Sequence, residues 1–234
     1  MNKKYLNKYG LLLSTILLTA SLSTATYAHH TYGFKLCKQS QYHCVKVKRG
    51  DTWHSLFPNS RDREIVKKVN RTNQSLTSGS VIAVPNNLYT TDFLSLAPFP
   101  HQISPQGSKL IKVDLGNLAW GAYDMSGRLV NWGPVSGGKS YCPDIGRGCT
   151  TVTGTFKVYR KQGSGCKSSR FPRPNGGAPM PYCMHFHGGY ALHGSATVPG
   201  YNASHGCVRM FTEDAQWLNQ NFVNVGRTIV QVFR

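Results

Sequence analysis

The chain has 234 residues, of which 40% are hydrophobic and 15% charged, and its 27 Lys and Arg against 9 Asp and Glu give a formal net charge of +18. That apolar content excludes a disordered polymer, and the length suits one mid-sized domain plus a small module. The charge favours anionic partners, but the basic residues are scattered and carry no nucleic-acid-binding motif, so nucleic acid is not the expected partner.

Met1 to Lys8 carries Lys3, Lys4 and Lys8, and an apolar run from Leu11 to Ala20 follows. Thr26-Tyr27-Ala28 then places small residues three before and immediately before a cut, which is the layout of a secretory signal peptide over residues 1–28. The expected destination is outside the cytoplasm, in the periplasm or cell envelope. No later segment is long and apolar enough to cross a bilayer, so no stable membrane insertion is expected after cleavage. Seven cysteines fit an oxidising compartment, where six pair and one is left over. Cys37 with Cys44 and Cys142 with Cys149 are close neighbours, which leaves Cys166 for Cys183 and Cys207 unpaired.

After a short disulfide-containing segment at 29–42, residues 43–87 read as strand, helix, helix, strand. Val45 and Val47 alternate with lysines, Gly50-Asp51-Thr52 turns the chain, and Trp53, Leu56 and Phe57 recur at helical spacing until Pro58. Ser60 or Asp62 is the expected cap of a second helix with Ile65, Val66 and Val69 on one face. Val81 to Val84 is the returning strand, closed by Pro85. This order, with Val47-Lys48-Arg49-Gly50-Asp51-Thr52, Asn70 and Gly79 to Pro85, resembles the LysM module, and the resemblance implies binding to the glycan strands of peptidoglycan. Trp53-His54 stands where that family commonly has Leu-Trp.

Residues 88–107, with Pro98, Pro100 and Pro105, read as a semi-rigid linker. From 108 to 234 the period is two. Ile111, Val113 and Leu115 alternate, Gly116-Asn117 makes a hairpin turn, and Leu118 to Tyr123 returns. Further strands are expected at 128–132, 155–159, 184–186, 190–193 and 228–233. One helix is expected, capped by Thr212, with Glu213 and Asp214 suiting its N-terminal dipole and Ala215, Leu218 and Phe222 on one face. The predicted class is mainly β, a β-sandwich or irregular barrel with one helix.

Reactive groups concentrate at Ala191-Leu192-His193-Gly194-Ser195 and Ser204-His205-Gly206-Cys207-Val208-Arg209. A thiol becomes a nucleophile when a neighbouring group takes its proton or stabilises its thiolate, and both His193 and His205 are candidates. Gly206 frees the backbone to aim amide N–H groups at an oxyanion. The Ser-His-Gly-Cys-Val-Arg segment preceded by His193-Gly194 closely resembles the active-site signature of YkuD-type L,D-transpeptidases. Thr151-Val152-Thr153-Gly154-Thr155-Phe156, with Val152 in place of the usual proline, Met180-Pro181-Tyr182 and Gly188 to Gly194 follow the same family over residues 108–234. The interval from His193 to Cys207 is short for that family, and the insertion between Cys142 and Cys183 is long.

The resemblance implies Cys207 as nucleophile, His193 as the base and Gly194 as the carbonyl that orients it. His205, Gly206 and Cys207 would shape an oxyanion hole; Ser204, Tyr182 and Arg209 fall at the substrate, Arg209 as a partner for its carboxylates. It implies peptidoglycan stem peptides as substrate, no cofactor, and a carbapenem adduct at Cys207. Transfer to water would instead make the chain an L,D-carboxypeptidase, and loss of catalysis a cell-wall or host-surface binding protein. A zinc hydrolase is the other rival, because His185, His187, His193, His205 and Cys207 lie close in sequence, but they form no complete ligand motif and no metal is expected.

Overall fold

The computed structural model describes residues 31–234; the expected signal peptide lies outside the described residues. A short helix α1 (Tyr32–Leu36) leads into β1 (Tyr42–Lys46), α2 (Trp53–Leu56), α3 (Ser60–Val69) and β2 (Val81–Pro85). β1 and β2 pair antiparallel, with Cys44 opposite Ala83 and Lys46 opposite Val81. Thr52 caps α2 in a reciprocal pair with Ser55. The cap of α3 is Asn59, whose side chain accepts from the Asp62 amide, rather than Ser60 or Asp62. Asn suits that position because its short side-chain oxygen reaches an orphan N–H of the first turn. Asn70 is buried and ties α3 to β2: its amide nitrogen donates to Val66 and Ala83 carbonyls, and its oxygen accepts from Ala83 N.

The segment expected as a semi-rigid linker packs against the sheet. Phe93–Leu96 forms one 3₁₀ turn whose Phe93 ring stacks on Trp132 at 4.6 Å. Phe99 joins the buried cluster of Leu110, Tyr123, Leu129 and Trp132, and Tyr123 Oη donates to the Pro100 carbonyl. Apolar side chains in the Pro-rich stretch supply burial that a bare Pro and Ser connector lacks.

The remainder is one curled sheet of nine strands: β3 (Leu110–Asp114), β4 (Ala119–Tyr123), β5 (Leu129–Ser136), β6 (Gly154–Lys157), β7 (Arg160–Lys161), β8 (Met184–His187), β9 (Tyr190–Gly194), β10 (Val208–Met210) and β11 (Ile229–Phe233). Their order across the sheet is β6-β11-β3-β4-β5-β10-β9-β8-β7. Twist brings the ends towards each other, and the rings of Phe156 on β6 and Phe186 on β8 meet at 5.4 Å. The main core fills the curl, with Ile111, Val113, Trp120, Val135, Met184, Leu192, Val208, Met210 and Val232. Helix α4 (Thr212–Trp217) closes it and widens into a π turn over Leu218–Phe222. Its N-cap is Phe211, which makes no side-chain cap bond, so Thr212 is the first helical residue rather than the cap. Strand β10 escapes the sequence pattern because only three residues alternate, inside a segment dominated by Ser, His and Gly.

Candidate active site

Cys207 stands immediately before β10, the strand that runs parallel to β9 with Val208 opposite Leu192, Arg209 opposite His193 and Met210 opposite Gly194. Leu192, Val208 and Met210 point into the core. Side chains alternate along a strand, so Ala191, His193, Cys207 and Arg209 share the opposite face. The register therefore makes His193 and Cys207 diagonal neighbours on one face.

His193 is buried, and its Nδ1 lies 2.8 Å from the carbonyl oxygen of Gly194. A carbonyl only accepts, so Nδ1 carries the proton and Nε2 is left unprotonated. Gly194 also needs to lack a side chain, since a Cβ there would fall 2.9 Å from Thr212 Cα. Burial pushes the His193 imidazolium down to about 4, with the Gly194 bond opposing and Arg209 and His185 reinforcing the shift. Burial likewise pushes the Cys207 thiol up, against a backbone hydrogen bond from Ala191 and the charge of Arg209. Both shifts leave the resting pair neutral at pH 7: a thiol, donating weakly to the Gly189 carbonyl at 3.5 Å, beside an unprotonated imidazole.

The loop before Cys207 is held from within. Ser204 Oγ donates to the Cys207 carbonyl at 2.5 Å and accepts from the Gly206 amide at 3.0 Å. The Gly206 carbonyl accepts from Thr151 Oγ1 at 2.7 Å, so the Thr151-Val152-Thr153 segment buttresses the nucleophile loop. Gly206 sits at φ 126°, where a Cβ would meet the Tyr190 ring at 2.9 Å. Cys166 and Cys183 are disulfide-bonded, and with Met180 and Ala191 they form the apolar wall against which Cys207 packs. Cys37–Cys44 and Cys142–Cys149 are the other disulfides, and Cys207 is the free thiol.

The YkuD profile, an L,D-transpeptidase catalytic domain, matches residues 108–232, over half of the chain. The chain belongs to the YkuD family of L,D-transpeptidases. Among solved structures it is similar to the L,D-transpeptidase of Xylanimonas cellulosilytica, at 25% identity and TM-score 0.52 over 73% of this chain and 78% of that one. It is also similar to an Enterococcus faecium L,D-transpeptidase, at 25% identity and TM-score 0.44 over 54% of this chain and 50% of that one. No curated protein sequence matches it.

Within the transpeptidase domain the other sequence candidates fall in different places. The His205 ring is engaged elsewhere: Nε2 lies 2.9 Å from both carboxylate oxygens of Asp144, and the Phe171 ring packs on it, tilted, at 4.6 Å. That pairing holds the Asp144 carboxyl below its ordinary value. His205 thus ties the Cys142–Cys149 loop and the Phe171 segment to the loop that precedes Cys207, leaving only its backbone to an oxyanion. The Gly206 amide is already donated to Ser204, and Ser204 is an internal brace whose hydroxyl faces the loop rather than solvent. Arg209 is half-buried on the Cys207 face, and among the described residues no acidic side chain pairs with it. Tyr182 holds a left-handed backbone at φ 57° and packs against the main core, with its amide bonded to the Gly163 carbonyl.

The histidines of the zinc reading are engaged separately. His185 Nε2 lies 3.3 Å from Arg160 Nη2, His187 packs on Phe156 and Tyr190, and His193 and His205 have the partners above. The one metal-like grouping among the described residues is Cys142, Asp144 and His205, and the Cys142 sulfur is committed to its disulfide. Thr151, Asp144 and Phe171 were not singled out from sequence for these contacts. Thr151 was within reach as part of the family segment, whereas Asp144 and Phe171 sit in the irregular Cys142–Cys183 insertion, which has no period to read.

Proposed function

We propose that this transpeptidase is exported and acts on peptidoglycan stem peptides through an acyl-enzyme at Cys207. The observation that carries the reading is the His193 Nδ1 to Gly194 carbonyl bond on the sheet face that also carries an unpaired thiol, because it fixes the tautomer that leaves Nε2 unprotonated, the form a base for Cys207 requires. Since the pair rests neutral, attack and proton transfer go together. Nε2 takes the Sγ proton as the sulfur bonds to the carbonyl carbon of the third stem residue, and the same proton then passes to the amine of the departing D-alanine. The Cys207 backbone amide is the proposed oxyanion donor. An amine of a second stem closes the cycle by displacing the thiolate, which returns the thiol. Arg209, half-buried without an acidic partner, suits a substrate carboxylate on the Cys207 face.

The βααβ unit is read as a glycan-binding module. A cavity of about 230 Å³ between α2, α3 and the end of β2, lined by His43, Phe57, Asn59, Asn86 and the exposed Tyr89, supports that reading. An aromatic plane with amide side chains around it suits a sugar, which offers both CH faces and hydroxyls.

Incubation with a tetrapeptide muropeptide should give an intact-mass increase equal to the donor less D-alanine. The adduct should be absent in Cys207→Ala, and products released on adding stem amines should be crosslinked dimers. Acyl transfer by Cys207→Ala at the wild-type rate would overturn the assignment.

A further inference from the structure

Beyond the machinery around Cys207, the βααβ unit contributes to the site. The segment between His193-Gly194 and Ser204 leaves β9 and is met by the chain that follows α3. Asn73 Nδ2 donates to the Ser195 carbonyl at 2.9 Å, and its Oδ1 accepts from the Val198 amide at 2.9 Å. The Asn73 amide donates to the Val198 carbonyl at 3.1 Å. Gln74 Nε2 adds a bond to the Ala196 carbonyl at 2.7 Å, and Thr72 bridges Pro199. One residue from outside the family-matched region thus engages three backbone groups two to five residues past the catalytic histidine, two of them through its side chain and one through its backbone N–H.

Peptide units are rigid planes, so what holds one plane limits the next. The Gly194 carbonyl that receives the His193 proton shares its plane with the Ser195 amide, which donates to the Met210 carbonyl at 2.9 Å. The following plane begins with the Ser195 carbonyl, and that is the group Asn73 grips. Two consecutive planes are thereby pinned, the first by β10 and the second by the N-terminal unit. We infer that Asn73 is a positioning residue for His193, acting through the Ser195 backbone, so that the βααβ unit is a working part of the active site as well as a binding module.

The inference rests on His193 and Cys207 being the catalytic pair, and its test separates the two. In the full chain, Asn73→Ala should lower kcat for a soluble tetrapeptide about tenfold with KM changed less than twofold, because misplacement of a base slows the chemical step. Asn73→Asp keeps the acceptor for Val198 but opposes the Ser195 carbonyl with a second acceptor. It should show the same kcat loss with native-like thermal stability, which covers the case in which the alanine variant folds poorly. Ser80→Ala, in the same unit and bonded through its hydroxyl to the Thr77 carbonyl, leaves the Asn73 contacts intact and should keep kcat within twofold. A looser His193 admits water, so the acid limb of the kcat profile should move up towards the ordinary histidine value in both Asn73 variants. The charged neighbours Arg209 and His185 are unchanged by them. Cys207→Ala is the control: activity surviving there removes the functional reading itself. Wild-type kcat and an unmoved acid limb in Asn73→Asp, with Cys207→Ala inactive, would overturn the positioning role alone.

Discussion

At the scale of single residues, Gly206 carries the sharpest constraint near the nucleophile. Its φ of 126° lies where residues with a Cβ are strained, and the added carbon would press on the Tyr190 ring at 2.9 Å. Gly206→Ala should therefore lose stability by about 1–3 kcal/mol from backbone strain and lose a larger share of its activity. Because the shift displaces the Cys207 amide, acylation should fall on the order of a hundredfold, as expected when one oxyanion donor is misplaced. Denaturant unfolding together with single-turnover acylation would check this; a variant that acylates at the wild-type rate would show that the loop conformation is not what the chemistry needs. His205 shows what proximity in sequence conceals. It stands two positions from the thiol, yet its ring is bound to Asp144 and packed against Phe171, both in the Cys142–Cys183 insertion. Alternation alone suggests a shared face for residues 205 and 207, but the chain is not yet extended there, and Gly206 turns it.

At the scale of elements, what was legible followed periodicity and what was not followed distance. The strands β3, β4, β9 and β11, short apolar or alternating runs bounded by turn residues, and the strand-helix-helix-strand order of the N-terminal unit were readable because each is a local pattern. The cap of α3, the reach of β5 to Ser136 and the strand β10 were not, since they depend on partners brought by the fold. The packing of the semi-rigid linker was hidden for the same reason: Phe93 stacks on Trp132, 39 positions away in sequence. Asn73 gave no signal as a partner of Ser195, 122 positions away. The groove between α2, α3 and β2 is open on the face carrying Tyr89, which is 85% exposed. If it takes glycan, Tyr89→Ala should reduce retention on insoluble sacculi severalfold without altering turnover of soluble tetrapeptide, because the ring lies outside the Asn73 contact. Co-sedimentation at moderate salt measures this, where screening weakens the basic surface's contribution but not stacking. Equal retention of the two proteins would remove the groove from the binding surface.

At the scale of the whole molecule, the N-terminal unit and the transpeptidase domain are joined by buried polar contacts, and these give acid a distinctive effect. Arg71 is buried with its guanidinium 4.7 Å from the Tyr32 ring and 4.8 Å from the Trp132 ring, and its Nε donates to the Asn117 carbonyl. Lys68 on α3 donates to Asp214 on α4 at 2.6 Å. Despite that partner, burial pushes the Asp214 carboxyl up to about 6 from 3.8, and its Oδ2 is buried without a hydrogen bond. The native state therefore takes up this proton before the unfolded state does, so Asp214 adds stability as the pH falls from about 6 towards 3.8. His193 acts in the opposite sense: its native value of about 4 lies below the ordinary 6.5, the unfolded chain protonates first, and stability is lost as the pH falls from 6.5 towards 4. The two slopes offset each other across the same window. Asp214→Asn removes the stabilising slope and leaves the destabilising one. Relative to the wild type, the variant should therefore lose a further 3 kcal/mol or so between pH 6.5 and 4, since one pKa unit is worth about 1.4 kcal/mol. Urea unfolding at half-unit pH intervals would measure it for both proteins. Parallel pH dependences would mean that the Asp214 carboxyl is ionised throughout and that Lys68, rather than burial, sets its charge.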